Sequence, residues 1–327
     1  MNRKAILRVL VRVFIEDGQL RPIWRFFLSV ALILAAFVIA GGVVGKAFHL
    51  EKGHPIELAV AFWQSLVSLV AILAVFKLMT AFFERRPLGS VGLALHPRWW
   101  RELGHGLVVG AAMLLLAVAL EWAFGFAHFT FTPHPVLWKG SFTFLLFAVA
   151  ATNEEVTFRG YPFQRLAESI TPAGAIAITS AVFGFAHFLN PHRTWISTLN
   201  TALVGIPFCI AYLRTRSLWM PIGMHFAWNF LLGFFLGLPV SGFTISASVF
   251  TAGVQGPIWL TGGQYGPEGS LLAMAAILVV TAYLSFTRSI YTSEEMKALV
   301  FAPVTTRWPE PPITIFSAPP EEEAKRD

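Results

Sequence analysis

The chain has 327 residues, of which 56% are hydrophobic and 13% are charged, and its mean hydropathy is +0.65. A soluble domain carries about a quarter charged residues, and several apolar runs here reach the roughly 20 residues that cross a bilayer. A soluble protein is therefore excluded. The formal net charge is +6, but the basic residues flank the apolar runs and form no stripe that indicates a nucleic-acid partner. We expect an integral multi-pass protein of the plasma membrane.

The N-terminal segment, residues 1–25, alternates basic and apolar residues from Arg3 to Phe14. This pattern is typical of a short helix that lies in the membrane interface. The apolar run 26–45 is too long for the hydrophobic region of a cleaved signal peptide and predicts the first transmembrane helix. The single cysteine, Cys209, excludes an internal disulfide.

The apolar runs predict an all-α, polytopic membrane protein with about eight transmembrane helices. These predicted spans are 26–45, 57–80, 104–126, 141–163, 173–189, 195–213, 217–236 and 270–290. The Gly-rich segment 238–269 is too polar to span and is predicted to form an external loop or cap. The Pro-rich, acidic segment 291–327 predicts a disordered cytosolic tail. Residues 26–290 then form one membrane domain.

The basic residues predict the orientation of the spans. With the N-terminus in the cytosol, all but four of the 24 Lys and Arg residues lie on the cytosolic side or near cytosolic helix ends. The four exceptions are Lys46, Lys52, Lys139 and Arg193. This asymmetry agrees with the positive-inside rule, and it predicts that both termini are cytosolic.

Ionisable residues within the spans require an explanation, because each costs ~2.5–3.5 kcal/mol on insertion scales. Those well inside the spans are Glu121, Glu154, Glu155, Arg159, His187 and His225, with Asn229 as a further polar group. Glu155 and Arg159 are four residues apart on a helix and can pair. Glu154 points about 100° away and lacks that partner. A structural ion-pair cluster between helices is the simpler interpretation of this motif alone.

Two further motifs carry histidines on other spans. His187 follows Phe183 by four residues in the fifth span, and His225 precedes Asn229 by four residues in the seventh. Peptide hydrolysis needs a base to activate water and donors for the developing oxyanion. Glu154 with His187 can hold and deprotonate a water, while His225 and Asn229 can donate to an oxyanion. Together the motifs predict a hydrolytic site.

The sequence lacks the residues that other classes of protease need for catalysis. The only aspartates, Asp17 and Asp327, lie outside the spans, which excludes a two-aspartate intramembrane protease. The chain contains neither His-Glu-x-x-His, the helical zinc motif, nor Gly-x-Ser-x-Gly, the nucleophile elbow of serine hydrolases.

The three motifs, complete and in order, resemble the CPBP family, which comprises CAAX proteases and bacteriocin-processing proteins and includes the Rce1-type prenyl-protein endopeptidases. The family pattern is Glu-Glu-x-x-x-Arg, then Phe-x-x-x-His, then His-x-x-x-Asn or Asp, and the resemblance covers about residues 141–236. It implies an α-helical membrane fold with an active site that opens within the bilayer toward the cytosol. By similarity, Glu154 and His187 activate water, and His225 and Asn229 form the oxyanion hole. Glu155, Arg159 and Phe183 take supporting positions.

The sequence thus predicts an intramembrane endopeptidase that needs no cofactor and acts on a peptide or membrane-anchored protein near the cytosolic membrane surface. A zinc-dependent version would use Glu154, His187 and His225 as ligands. A non-catalytic immunity factor or chaperone on the same scaffold is a second alternative, and a transporter is a third. The predicted depths of two site residues disagree. At ~1.5 Å per residue, His187 lies some 21 Å from the start of its span, whereas Glu154 lies 12–15 Å from the cytosolic end of its own span.

Overall fold

The computed structural model describes residues 13–16, 18–49, 58–133, 137–245 and 248–301. Its helices are α1 (Pro22–Ala47), α2 (Leu58–Met79), α3 (Trp99–Ala123), α4 (Leu137–Arg159), α5 (Tyr161–Ser169), α6 (Pro172–Ala186), α7 (Trp195–Thr215), α8 (Trp219–Phe230), α9 (Ile258–Thr261), α10 (Leu271–Phe286) and α11 (Glu294–Phe301). Its strands are β1 (Ile15–Glu16), β2 (Gln19–Leu20), β3 (Ala127–Phe131) and β4 (Phe250–Val254).

Each of the eight predicted spans contains a helix, which confirms an all-α polytopic membrane protein. Among the described residues, five helices are long and apolar enough to cross a membrane by themselves: α1, α2 with its extension to Glu84, α3, α6 with the turn to Leu189, and α7. The apolar helix α10 is shorter. Helix α8 has 12 residues and continues as a π-helical turn, Leu231–Phe235. Helix α4 carries the charged residues of the first motif.

The bundle has two distinct ends. At one end, β3 pairs with β4 in antiparallel register from Ala127–Val254 to Phe131–Phe250, and we call this end the ribbon side. At the other end, Arg214 of α7 donates hydrogen bonds to the carbonyls of Leu284 and Ile290, at 2.7 and 3.0 Å. We call this end the basic side.

A buried ion-pair network connects the first helix to the basic side. The Glu84 carboxylate accepts from Arg25 at the start of α1 and from Arg165 of α5, at 2.7 and 3.2 Å. Close by in sequence, Arg86 donates to the carbonyl of Val300 in α11. The start of α1 and the helix α11 therefore lie at the same end of the bundle, as an even number of spans requires.

Helices α3 and α8 pack with their backbones in close contact. A Cβ atom on Gly106 or Gly110 of α3 would lie only 2.1 or 2.2 Å from the carbonyl oxygens of Met220 and Met224 in α8. Small residues allow this approach between membrane helices, where dispersion contacts drive association. This contact holds the backbone of α8 at Met224, the residue before His225, against α3.

The structure corrects the predicted fourth span, 141–163, and with it the depth estimate. The helix breaks at Gly160, whose φ and ψ are −77° and −134°, and the chain continues through α5 to Ser169. Because α4 and α5 are separate helices, counting residues along one straight helix does not give the depth of Glu154. Glu154 Oε2 and His187 Nε2 lie 3.7 Å apart, so the two side chains lie at the same level. The predicted span extended to 163, beyond Arg159, where α4 ends.

The segments outside the bundle also differ from the prediction. The disorder predicted from 291 is wrong for Glu294–Phe301, which forms α11 with Met296 buried and Ser293 as its capping acceptor. Residues 302–327 lie outside the described part of the chain. So do residues 1–12 of the predicted interfacial helix, whereas β1 and β2 form a small hairpin just before α1. The external segment 238–269 contributes β4 and α9.

Candidate active site

One carboxylate oxygen brings the predicted residues together. Glu154 Oε2, on α4, lies 3.7 Å from His187 Nε2 and 3.9 Å from His225 Nε2. The Glu154 side chain is 32% exposed, whereas that of its neighbour Glu155 is fully buried. Three helical segments distant in sequence thus direct one acid and two imidazoles at the same point.

The hydrogen bonding of His187 fixes its tautomer. His187 follows the last turn of α6, and its Nδ1 lies 2.9 Å from the carbonyl oxygen of Phe183. Because a carbonyl only accepts, Nδ1 carries a proton, and in the neutral imidazole the lone pair lies on Nε2, which faces Glu154. The Phe183 ring packs edge-on against the imidazole, with centroids 4.8 Å apart. The Phe183–His187 motif therefore both orients and shields the ring.

Glu155 contacts two of the predicted residues. Its Oε1 accepts from Arg159 Nη1 at 3.1 Å, which confirms the pair predicted from their spacing. The same oxygen lies 2.8 Å from His225 Nδ1, a contact between residues 70 positions apart. Nδ1 therefore donates to Glu155, and Nε2 of His225 is directed at Glu154. Glu155 thus orients His225, a role that sequence spacing alone did not predict.

Phenylalanine rings flank the buried guanidinium of Arg159. The Arg159 guanidinium lies 4.3 Å from the Phe183 ring centroid and 5.2 Å from that of Phe208 in α7. Such contacts stabilise a cation that has little access to water. Phe208 also stacks on His225, with centroids 5.5 Å apart and planes 17° from parallel. Sequence analysis missed Phe208 because nothing distinguishes it from other aromatic residues of an apolar span.

These residues lie on a cavity of about 1140 Å³. Asn229, one turn after His225 on α8, lines it together with Glu154 and His187. Its apolar walls extend to residues of α1 and α2, among them Phe26 and Leu58. It also reaches Glu268, which sequence analysis did not single out because it lies in the segment predicted as a cap.

The zinc alternative requires a group of ligands that could enclose an ion. Among the described residues, no group of three or more His, Cys, Asp or Glu side chains is placed to hold a metal. A zinc site formed by Glu154, His187 and His225 therefore remains a hypothesis, which measurement of the metal content can test.

Residues 136–231 match the family described as type II CAAX prenyl endopeptidase, Rce1-like. The chain is also 22% identical over 273 residues to the uncharacterized protein YyaK of Bacillus subtilis (strain 168), an alignment that covers 74% of this chain and 90% of YyaK. The family match contains the complete predicted set from Glu154 to Asn229. The comparisons confirm the resemblance that the three motifs predict, since residues 136–231 match the Rce1-like family model.

Proposed function

We propose that this protein is an intramembrane endopeptidase that hydrolyses a peptide bond with a water activated by Glu154 and His187. The Rce1-like match suggests a CAAX-protease-like intramembrane peptidase. The observation that carries the finer proposal is the convergence of both Nε2 atoms on Glu154 Oε2 within 4 Å. A purely structural cluster would not need to expose Glu154 to a cavity.

The distances in the cluster fit a shared water. At 3.7 Å, Glu154 Oε2 and His187 Nε2 are too far apart for a direct hydrogen bond, and both atoms accept. A water between them donates one proton to each acceptor and keeps a lone pair for the substrate carbonyl. When that oxygen attacks the carbonyl carbon, Glu154 takes its proton. It then transfers this proton to the leaving amine as the carbon–nitrogen bond breaks.

His225 and Asn229 supply donors for the oxyanion. Nδ1 of His225 is held by Glu155, so in the imidazolium form its Nε2–H is directed into the cavity. The Asn229 side chain lies on the same face of α8, and its amide adds a second donor. Donors fixed before the reaction stabilise the tetrahedral intermediate without reorganising, which is why such groups contribute strongly to rate.

With His225 as an imidazolium, the positive and negative charges of the cluster are equal in number. Glu154 and Glu155 as carboxylates are matched by Arg159 and by imidazolium His225. A buried charge is tolerated when it is paired and hydrogen-bonded, so this distribution suits a site of low dielectric constant.

The cavity fits a peptide that enters from the membrane. Ligand pockets typically measure roughly 300–1,000 Å³, so the cavity of about 1140 Å³ accommodates several residues. Its apolar walls suit a substrate segment or a lipid anchor. A comparison of protein termini in membranes that carry wild type or Glu154→Gln identifies the substrate, because true products appear only with wild type.

Replacing Glu154 by Gln tests the mechanism. The change keeps the size of the side chain but removes the base, and we expect cleavage of a peptide substrate to fall by about 10²–10⁴-fold or more. The matched control is Glu121→Gln, an isosteric change at a fully buried glutamate of α3. The control should keep wild-type activity, and both variants should fold.

Two outcomes would select an alternative. Full function in Glu154→Gln would contradict the protease mechanism and favour the immunity or chaperone interpretation. Activity that is lost with chelators, together with stoichiometric metal that disappears in Glu154→Gln, would establish the zinc-dependent version. The proposed mechanism predicts activity that resists chelators and purified protein without stoichiometric metal.

A further inference from the structure

Glu268 is a carboxylate in the cavity that the proposed mechanism does not use. It lies in the turn Pro267–Gly269, just before α10 on the ribbon side. Its Oε1 accepts from the indole N–H of Trp228 at 3.0 Å. Its Oε2 accepts from the hydroxyl of Ser241 at 2.9 Å and also from the backbone N–H of that residue. The carboxylate is thus held in one orientation by three neutral donors.

Within the described chain, no cation forms an ion pair with Glu268. The described cavity wall contains two carboxylates, Glu154 and Glu268, and no Lys or Arg. Glu154 already faces two histidines, whereas the three hydrogen-bond donors to Glu268 carry no charge. Burial raises the pKa of Glu268, and hydrogen bonds from Ser241 and Trp228 oppose that shift, as does the nearby His187. In the proposed mechanism His187 is neutral and holds the water, so a cation bound from the cavity would supply the charge that Glu268 lacks.

The position of Glu268 is fixed relative to the proposed oxyanion donors. Its partner Trp228 precedes Asn229 on α8. Its backbone carbonyl accepts from Asn200 of α7 at 2.9 Å, and the same amide group donates to the carbonyl of Ser270 at 2.7 Å. A group bound at Glu268 therefore has a defined place beside the reacting centre, on the ribbon-side wall of the cavity.

We propose that Glu268 is a specificity site that binds a cationic group of the substrate: a lysine or arginine side chain, or a free α-amino group. This inference depends on the proposed function, since it assigns a substrate class to the same cavity. It predicts that the enzyme prefers peptides with a positive charge close to the scissile bond. It also predicts that a carboxylate at this wall is disfavoured by like-charge repulsion.

Peptide binding to full-length Glu154→Gln isolates this site. In that variant Glu268 is the remaining carboxylate of the described cavity wall, and measurement of binding does not require turnover. The probes are apolar peptides with a neutral fluorophore, acetylated and amidated, that carry one lysine at successive positions. Matched peptides carry norleucine instead, and a third set has a free α-amino group and no lysine. Fluorescence anisotropy in detergent gives each Kd.

We expect at least one lysine peptide to bind roughly tenfold to a hundredfold more tightly than its norleucine match, as a charge-assisted hydrogen bond implies. Adding Glu268→Gln should remove this difference and leave the affinity for the norleucine peptide unchanged. If Glu268 only anchored Trp228 and Ser241, the same change would weaken both peptides equally. The third set shows whether an α-amino group can replace the side chain.

Equal binding of lysine and norleucine peptides, or no binding of any lysine peptide, would overturn the inference. Melting temperatures of the variants identify loss of fold, and Glu268→Asp, which keeps the charge, should retain part of the lysine preference. Failure of the proposed function has a different signature, because it appears as undiminished cleavage in Glu154→Gln whatever the lysine preference.

Discussion

At the scale of residues, the site depends on a buried carboxylate that serves two partners. Glu155 Oε1 lies 3.1 Å from Arg159 and 2.8 Å from His225, and the side chains of Glu155 and Arg159 are fully buried. The mutual attraction of such charges offsets their desolvation only when the geometry is maintained. The face of the cluster that we propose to be catalytic, at Glu154 and His187, therefore rests on a buried charge pair that does not line the cavity.

Arg159→Ala should consequently lower the stability of the protein and not its chemistry alone. Removing one partner of a buried pair typically costs ~3–5 kcal/mol, because the other charge remains buried and unpaired. Arg101→Ala, at an exposed arginine near the start of α3, is the control and should melt like wild type. Thermal unfolding in detergent measures both variants. A wild-type melting temperature for Arg159→Ala would show that the pair contributes little.

The sequence predicts contacts within one helix better than contacts between helices. The pair of Glu155 with Arg159 and the shared face of His225 and Asn229 follow from the helical repeat. The contact between Glu155 and His225 does not, because no periodicity relates residues on α4 and α8. The sequence did not identify Glu268 as a cavity residue for a related reason, since Glu268 reaches the cavity only when the segment 238–269 folds back onto it.

At the scale of elements, hydropathy located the helices but not their breaks. An apolar window cannot detect the bend at Gly160, because residues on both sides of it remain compatible with a helix. The amphipathic helix α5 buries Arg165 against Glu84, so its polar residues satisfy each other inside the protein. The ribbon of β3 and β4 pairs residues more than 100 positions apart, and no local turn signal joins them.

The contact between α3 and α8 gives the prediction at this scale. Gly110→Ala places a methyl group 2.2 Å from the carbonyl oxygen of Met224, so α8 must shift and displace the neighbouring His225. Overpacking of this kind costs ~1–3 kcal/mol, and activity should fall along with the melting temperature. The control lies on the same helix: a Cβ at Gly104 meets nothing within 4 Å.

Gly104→Ala should leave activity unchanged and stabilise the helix by about 0.5–1 kcal/mol, because alanine loses less backbone entropy than glycine. Melting curves and peptide-cleavage rates of the two variants make the comparison. Equal behaviour of Gly110→Ala and Gly104→Ala would mean that the close approach of α3 and α8 does not position His225.

At the scale of the whole molecule, the contacts at both ends establish alternation of the spans. Helices α1 and α2 meet α5 and α11 at the basic side through Glu84 and Arg86, and Arg214 of α7 reaches α10 there. The ribbon joins the opposite end of α3 to the segment before α10. The fold therefore fixes which residues share a side, and the distribution of Lys and Arg predicts which side faces the cytosol.

The basic side should face the cytosol, and cysteine labelling tests this prediction directly. The native Cys209 is fully buried, so the parent chain should remain unlabelled by a membrane-impermeant maleimide and serves as the control. Ser289→Cys introduces an exposed thiol on the basic side, and Gln255→Cys introduces one beside the ribbon. In intact cells Gln255→Cys should react and Ser289→Cys should not, because basic loops are retained in the cytosol. After permeabilisation both should react. The opposite pattern would invert the orientation, and labelling of both thiols in intact cells would contradict the alternation of the spans.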